Sequence, residues 1–199
     1  MNAIQKISAA ALCLVLLAGA LGAWATWRWA FSPGGLVASI ANHHSDFACW
    51  LVAHGVPADA KNRAGETPLM EAAVYGDLTV AESLIAHGAD VNARSPQNAT
   101  PLFYAVGAER DAIIRLLLEK GADPNLITTS GPILLTAATL GRQDYVTWLL
   151  AAGADIHARG PTGMTAREAA EHAHHQDIAD MLARAEATTR SNETKNAIK

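Results

Sequence analysis

Apolar residues from about position 67 onward alternate between two kinds of stretch. One kind is rich in alanine, as at 72–73, 105 and 137–138, and small side chains of this kind let neighbouring helices approach closely. The other kind is heavily aliphatic, as at 113–118, with a spacing that suits a helix with a broad apolar face. The pattern predicts pairs of helices in which the second helix carries most of the apolar bulk.

A period of about 33 residues organises these pairs. Glycines at 55, 88, 121 and 153 recur at intervals of 33, 33 and 32 residues, and the last three lie in Gly-Ala-Asp sequences. Each of these last three glycines can adopt the left-handed conformation that ends a helix. A second landmark, Thr-Pro-Leu, occurs at 67–69 and 100–102, where threonine can cap a helix whose first residue is proline.

These landmarks resemble the ankyrin-repeat family, whose T-P-L-H-x-A-A and L-L-x-x-G-A-D-V-N motifs they match in type, order and spacing. The resemblance covers about residues 34–186 and implies an all-α solenoid. One such unit cannot bury its apolar face alone, so the units must stack. About five helix-turn-helix repeats are expected, at 34–66, 67–99, 100–131, 132–164 and 165–186.

The two terminal units and one loop depart from the pattern. Gly34-Gly35-Leu36 replaces Thr-Pro-Leu in the first unit, and Arg167 takes a leucine position in the last, as is typical of caps that meet water on one side. The loop before the fourth unit is one residue short, which predicts an irregular hairpin at 126–131. The tail at 187–199 is polar and unpatterned from residue 188, and is expected to be disordered.

An apolar segment precedes the repeats. Residues 7–25 carry no charge, and as a helix these 19 residues would span about 28 Å, close to the roughly 30 Å of a bilayer core. We therefore expect residues 1–31 to be a transmembrane anchor that leaves the repeats facing the periplasm from a bacterial inner membrane. The alternative is a cleaved signal, since Ala18-Gly19-Ala20 and Ala23-Trp24-Ala25 resemble cleavage sites, and the product would be soluble in the periplasm.

Composition narrows the class of partner. Charged residues make up 17% of the chain and the formal net charge is −4, so no basic field would attract nucleic acid. The two cysteines are Cys13, inside the apolar segment, and Cys49, so no disulfide is available within the repeats. Cys49 has apolar sequence neighbours and is expected to be a core residue rather than a reactive thiol.

The ankyrin resemblance implies that loop tips and the faces of the first helices together form a concave binding surface for another protein. Tyr75, Phe103, Tyr104 and Leu140 would add apolar area to it. The alternative is that Phe103 and Leu140 simply pack between adjacent helices, which is the favoured interpretation for Phe103. The candidate protein-binding residues are Arg63, Glu66, Tyr75, Pro96, Gln97, Tyr104, Leu140, Pro161 and Met164.

Two groups of histidines, at 43–44 and 172–175, contain metal-ligand residue types. Both fall where the ankyrin pattern has an exposed turn, so no metal or cofactor is predicted. No nucleophile motif, phosphate loop or H-E-x-x-H sequence is present, so no enzyme is predicted either. The sequence favours a membrane-anchored or exported adaptor or inhibitor, with an immunity-type role as one form. The alternative is a metal- or haem-handling stress protein that uses the histidines.

Overall fold

A computed structural model describes residues 32–197, and within this range it contains ten α-helices arranged as five pairs. These residues form no β-strand, and the only strand-like contact among them is an isolated bridge between Thr128 and Gly131. The predicted all-α class is confirmed for the described residues. In chain order the helices are α1 Pro33–Ala41, α2 Ser45–Ala53, α3 Pro68–Tyr75, α4 Leu78–Ala86, α5 Pro101–Gly107, α6 Asp111–Glu119, α7 Ile133–Thr139, α8 Gln143–Ala151, α9 Ala166–His172 and α10 Gln176–Ala197.

The pairs stack into two layers. The first helices of the pairs (α1, α3, α5, α7, α9) pack side by side in chain order and form the first-helix layer. The second helices α2, α4 and α6 do the same, so apolar faces from both layers enclose one continuous core. Fully or almost fully buried members of that core include Leu69, Leu84, Leu102, Leu117, Leu134 and Leu149.

Threonine caps begin three of the first helices. The hydroxyl oxygen of Thr67 accepts a hydrogen bond from the backbone N–H of Met70 at 3.4 Å, and Thr100 accepts one from Phe103 at 3.2 Å. Thr165 forms a full capping box, because the Glu168 carboxylate also accepts the N–H of Thr165 at 2.8 Å. The predicted threonine caps at 67 and 100 are confirmed.

The first unit begins slightly earlier than the predicted boundary at residue 34. Helix α1 starts at Pro33 and is capped by Ser32, whose hydroxyl accepts the N–H of Gly35 at 3.3 Å. Ser32-Pro33 thus supplies the cap and the N-terminal proline that Gly34-Gly35 lack, two residues ahead of the usual register.

The loops that join successive units form one edge of the stack, which we call the hairpin edge (54–66, 87–99, 120–131 and 152–164). The predicted helix-ending glycines Gly88, Gly121 and Gly153 have φ of 89°, 83° and 88° there. At three junctions an Asp or Asn side chain accepts the backbone N–H of an Asp in the next unit. These bonds join Asp59 to Asp90 at 2.9 and 3.1 Å, Asn92 to Asp123 at 2.8 Å, and Asn125 to Asp155 at 2.7 Å.

The short turns inside the pairs form the opposite edge, the helix-turn edge (42–44, 75–77, 108–110, 140–142 and 173–175). Each turn has one residue of positive φ, and each closes on itself through a backbone bond, such as Asp77 N–H to Ala72 carbonyl at 3.1 Å. The turns therefore need no side chain to satisfy their backbone. The positive-φ residues are His43, Gly76, Glu109, Gly141 and His174.

The third hairpin, 120–131, is irregular, as its missing residue predicts. In the other hairpins a backbone N–H bonds the carbonyl four residues on, as from Ser95 to Ala99 at 3.0 Å. In the short hairpin Thr128 and Gly131 bond each other in both directions, at 3.2 and 3.0 Å. Pro132 then occupies the cap position of α7, which has no side-chain cap.

The end of the chain differs from the expected disordered tail. Helix α10 runs through residues 187–197 without a break, because its sequence there holds no glycine or proline. The Thr188 and Thr189 hydroxyls donate to the carbonyls four residues earlier, at 3.0 and 3.1 Å. The first half of α10 covers the last unit, and near the middle of this helix the Glu186 carboxylate lies 3.6 Å from the Arg167 guanidinium.

No helix between residues 32 and 197 has the length and apolar character needed to cross a bilayer. The predicted anchor or signal segment, 1–31, lies outside the described residues, and so do residues 198–199 of the tail.

Candidate functional site

The nine candidate residues do not form one cluster but lie in three rows. Four occupy the tips of the hairpin edge, three lie at or near the start of a first helix, and two lie at the helix-turn edge. The eight residues of α3 separate the hairpin row from the turn row by about 12 Å. In that order the rows are Arg63, Pro96, Gln97 and Pro161; Glu66, Tyr104 and Met164; Tyr75 and Leu140.

Tyr104 and Glu66 contact each other across two units. The Tyr104 hydroxyl donates to the Glu66 carboxylate at 2.8 Å, and its ring is half-buried. Burial, together with the Glu66 carboxylate, raises the pKa of Tyr104 and keeps the phenol protonated. The pair therefore links the end of the first unit to the third unit, so part of the expected binding role of Tyr104 is structural.

A second carboxylate lies beside this pair. The Asn62 amide donates to Glu71 at 3.0 Å and to Glu66 at 3.3 Å, so it bridges the two acids. Burial first and then the nearby Glu66 charge raise the pKa of Glu71. Asn62 and Glu71 are thus parts of this surface that sequence reasoning missed, and residue type alone gave no signal for them.

Two proline candidates pack against glycines of the preceding hairpin. A Cβ added at Gly65 would lie 2.6 Å from Cγ of Pro96, and one at Gly131 would lie 2.9 Å from Cδ of Pro161. Both glycines also have positive φ, of 79° and 104°. These prolines therefore stack neighbouring hairpins, and only their outer surfaces are available to a partner.

The remaining hairpin candidates differ in their exposure and in the hydrogen bonds that fix them. The Gln97 side chain is exposed, while its carbonyl accepts the N–H of Thr129 at 3.3 Å. Met164 is half-buried, and its carbonyl accepts the N–H of Gly160 at 2.8 Å. Arg63 is exposed and makes no hydrogen bond or ion pair in the part of the chain that the structure describes.

Tyr75 and Leu140 occupy the same register two units apart. Their side chains are 37% and 39% exposed, which is high for large apolar groups, and Ala108 takes the equivalent position between them. The Tyr75 ring meets the edge of the His43 ring at a centroid distance of 5.6 Å. Two apolar projections with an alanine between them form a notch, which consists of Tyr75, Ala108 and Leu140.

The structure adds two exposed apolar residues that were not among the candidates. Leu78 begins α4 close to Tyr75 and is 37% exposed, and Ile127 in the short hairpin is 56% exposed. Ile127 takes the register that holds Lys61 and Arg94 in the preceding hairpins. The sequence therefore carried a signal for Ile127, namely an apolar residue at a position where the two preceding units have a cation. Phe103, in contrast, is half-buried against the core, as the packing interpretation expects.

The two histidine groups lie in exposed turns, where the ankyrin pattern had placed them. His43 and His174 are the positive-φ residues of their turns, and the His175 ring packs over Gly141, where an added Cβ would lie 2.5 Å from Cε1. Between residues 32 and 197 no three His, Cys, Asp or Glu side chains are grouped closely enough to hold a metal ion.

Cys49 is half-buried against the core, with its sulfur 3.8 Å from the Thr79 carbonyl oxygen. Burial raises the pKa of this thiol, so little of the reactive thiolate is present near neutrality. This environment agrees with the expected core role.

Comparison with known proteins identifies the repeats. A family model described as ankyrin repeats (three copies) matches residues 36–128, which span the first three helix pairs, and no curated protein matches the chain significantly. The pairs α7–α8 and α9–α10 continue the same stacking beyond the matched range. Residues 36–128 are thus similar to ankyrin repeats, modules that generally bind other proteins and are not enzymes.

Proposed function

We propose that this chain is an adaptor or inhibitor that holds another protein on its first-helix layer and adjoining edges. The supporting observation is the notch made by Tyr75, Ala108 and Leu140. Adjacent helices lie about 8–10 Å apart, so the two projecting side chains are separated by about 16–20 Å. This distance suits one helix or loop of a partner that inserts an apolar side chain over Ala108.

Aromatic anchors with partly buried surroundings commonly dominate binding energy, and Tyr75 has these properties. Its ring is supported on one side by His43, and its hydroxyl has no hydrogen-bond partner among residues 32–197. A bound partner would supply that missing bond and cover the exposed ring face. We expect an interface centred on this notch, with Gln97 and Arg63 at its polar margin.

The test is a comparison of partners recovered by full-length chains from native membranes. Tyr75→Ala combined with Leu140→Ala removes both walls of the notch, while Ile127→Ala removes an equally large exposed side chain elsewhere. We expect a protein recovered with the wild type and the Ile127 variant to be lost with the double variant. Melting temperatures should stay within the range of surface substitutions. Equal recovery by all three chains would place the binding surface elsewhere.

We further propose that residues 7–25 anchor the chain in a bacterial inner membrane with the repeats in the periplasm, where an immunity-type inhibitor would meet its target. The length and uncharged composition of this segment support the proposal. Protease added to intact spheroplasts should digest the repeats, and the chain should stay with the membrane in carbonate. A soluble chain shortened by its first 20 to 25 residues would instead support the cleaved-signal alternative.

The metal- or haem-handling alternative has less support, because one histidine of each group packs against a different neighbour, His43 against Tyr75 and His175 over Gly141. Titration of the full chain with zinc or haem checks it. Tight stoichiometric binding that disappears when His172, His174 and His175 are changed to alanine would favour this alternative over the partner-binding proposal.

A further inference from the structure

Three exposed cations on the first two hairpins lack carboxylate partners. Arg63 and Arg94 make no side-chain hydrogen bond or ion pair among the described residues, and Lys61 donates only to the Arg94 carbonyl at 2.8 Å. Three arginines nearer the other end of the stack are paired with carboxylates. These paired arginines are Arg142 with Glu109 and Asp111, Arg159 with Glu168, and Arg167 with Glu171 and Glu186.

Two of these cations, Lys61 and Arg63, border an open depression of about 600 Å³ at the start of the stack. One side of the depression is the beginning of α1 and the other is the first hairpin, so two cations face the point where the chain enters the repeats. The depression is lined by Ser32, Gly34, Lys61, Asn62, Arg63 and Ala64.

The chain length before this point limits how far the stack can lie from a membrane. Seven residues, 26–32, separate the apolar segment from Pro33, and even fully extended they reach about 25 Å. This step rests on the proposed membrane anchor at residues 7–25. If that anchor holds, the first hairpin lies within a short distance of the lipid headgroups.

We propose that Lys61, Arg63 and Arg94 form a surface that contacts the anionic headgroups of the membrane holding the anchor. Basic side chains near a bilayer are attracted to anionic lipids, and a guanidinium matches a phosphate with two parallel hydrogen bonds. The chain as a whole has a net charge of −4 and gains nothing from a general attraction to an anionic surface. The contact therefore depends on these three residues, and it tilts the stack so that its first unit rests on the membrane.

Trypsin provides a direct readout, because it cuts after the residues concerned. The full chain is placed in nanodiscs of phosphatidylcholine alone or with phosphatidylglycerol, and cleavage after Arg63 and Arg94 is followed by mass spectrometry. Cleavage after Lys120, an exposed residue in a later loop, serves as the internal control. We expect phosphatidylglycerol to slow cleavage after Arg63 and Arg94 about fivefold, with cleavage after Lys120 unchanged and the difference removed by 1 M salt.

A matched pair of variants gives a second measurement. Lys61→Gln, Arg63→Gln and Arg94→Gln together remove the proposed surface, while Lys120→Gln with Arg184→Gln removes exposed cations elsewhere. Ligands that bind only the folded state raise the melting temperature, so phosphatidylglycerol should raise that of the wild type and of the control variant by about 2–4 °C. The triple variant should show no such rise.

The outcomes separate the two proposals. A chain that stays with neither kind of nanodisc lacks the anchor, and the headgroup contact is then overturned with it. A chain that stays with both, but whose cleavage ratio and melting temperature are the same in the two lipids, has the anchor without the contact. If cleavage after Arg63 and Arg94 is slowed in phosphatidylcholine alone, and only when another protein co-purifies with the chain, the three cations contact an acidic protein partner instead.

Discussion

The two edges of the stack join successive units through different kinds of contact. At the hairpin edge, junction after junction repeats one arrangement, in which a side-chain oxygen of residue 59, 92 or 125 accepts a backbone N–H of the next unit. At the helix-turn edge each junction has its own contact. These contacts are Ser45 with Asp77, Arg110 with the Val74 carbonyl, Arg142 with Glu109 and Asp111, and His175 over Gly141.

The backbone explains the difference. Hairpin loops expose N–H groups that no residue of their own unit satisfies, and unpaired backbone groups are costly, so a particular side chain must reach across each time. The helix turns close through their own main chain, as in the Arg110 N–H bond to the Ala105 carbonyl at 2.9 Å. Side chains at the helix-turn edge are thus free to differ between units, and this edge carries the Tyr75 and Leu140 positions of the proposed binding notch.

The largest expected effect tests the core on which both edges depend. Leu117 is fully buried in α6, and Leu117→Ala should cost about 2–5 kcal/mol in the free energy of unfolding through lost burial and a residual cavity. Urea unfolding followed by circular dichroism measures it. Leu118→Ala, at a half-buried neighbour, is the control and should cost less. Equal losses would mean that α6 is not oriented as described.

At the helix-turn edge, Gly141→Ala should cost about 1–3 kcal/mol, because φ is 73° and the new Cβ would lie 2.5 Å from the His175 ring. The urea midpoint measures the loss. Adding His175→Ala removes the clash but not the φ strain, so it should restore part of the stability. No recovery would show that the ring can move aside without cost and that the junction is loose.

At the hairpin edge, Asn92→Ala removes an acceptor for the Asp123 N–H and a donor to the Gly121 carbonyl at 3.2 Å. We expect a loss of about 1–2 kcal/mol, because a backbone N–H is left without its partner. His157 occupies the equivalent position in the last hairpin, and no further hairpin follows whose backbone N–H it could accept. His157→Ala should therefore change stability by less than about 0.5 kcal/mol. Similar losses for both variants would contradict the junction role.

A smaller effect is expected for Arg110→Ala. The exposed Arg110 guanidinium donates to the Val74 carbonyl at 3.0 Å, and one such bond in water contributes about 0.5–1 kcal/mol. Arg110→Lys should not restore it, since a lysine amine cannot reproduce the guanidinium geometry. A loss of stability larger than that of Asn92→Ala would contradict the expectation that single side chains matter more at the hairpin edge than at the helix-turn edge.

The smallest effect is a pH dependence at the last unit. The N–H of Thr165 bonds the Glu168 carboxylate and lowers its pKa, so the folded state favours the charged form. This stabilisation is present above the ordinary glutamate pKa and is lost as pH falls through the lower folded value. Melting temperatures between pH 6 and 3 should therefore fall less for Glu168→Gln than for the wild type. Glu82→Gln, which removes an exposed carboxylate on α4, should follow the wild type.

Much of the fold was predictable because its determinants are local. The 33-residue period, the threonine-proline helix starts and the left-handed glycines follow from backbone preferences within a few residues. The Ser32-Pro33 start of α1 was missed because the repeat register pointed to Gly34, although a capping serine and a proline stood two residues earlier. The continuation of α10 was missed because polar composition was taken as disorder.

The candidate site was less predictable, since its properties depend on residues more than 30 positions apart. Arg63, Gln97, Tyr75 and Leu140 were expected to be accessible and are exposed. Pro96 was expected to be accessible but packs partly on Gly65, a contact that exists only after the hairpins stack.

Sequence alone determined that the chain would form repeated helix pairs with a heavily apolar second helix, because helix starts, helix ends and apolar spacing are encoded within each unit. Only the tertiary structure decided which side chains meet between units, such as Tyr104 with Glu66 and His43 with Tyr75. Such meetings depend on how closely and at what angle neighbouring units pack. That geometry is set by the summed shape of many buried side chains and not by any single motif.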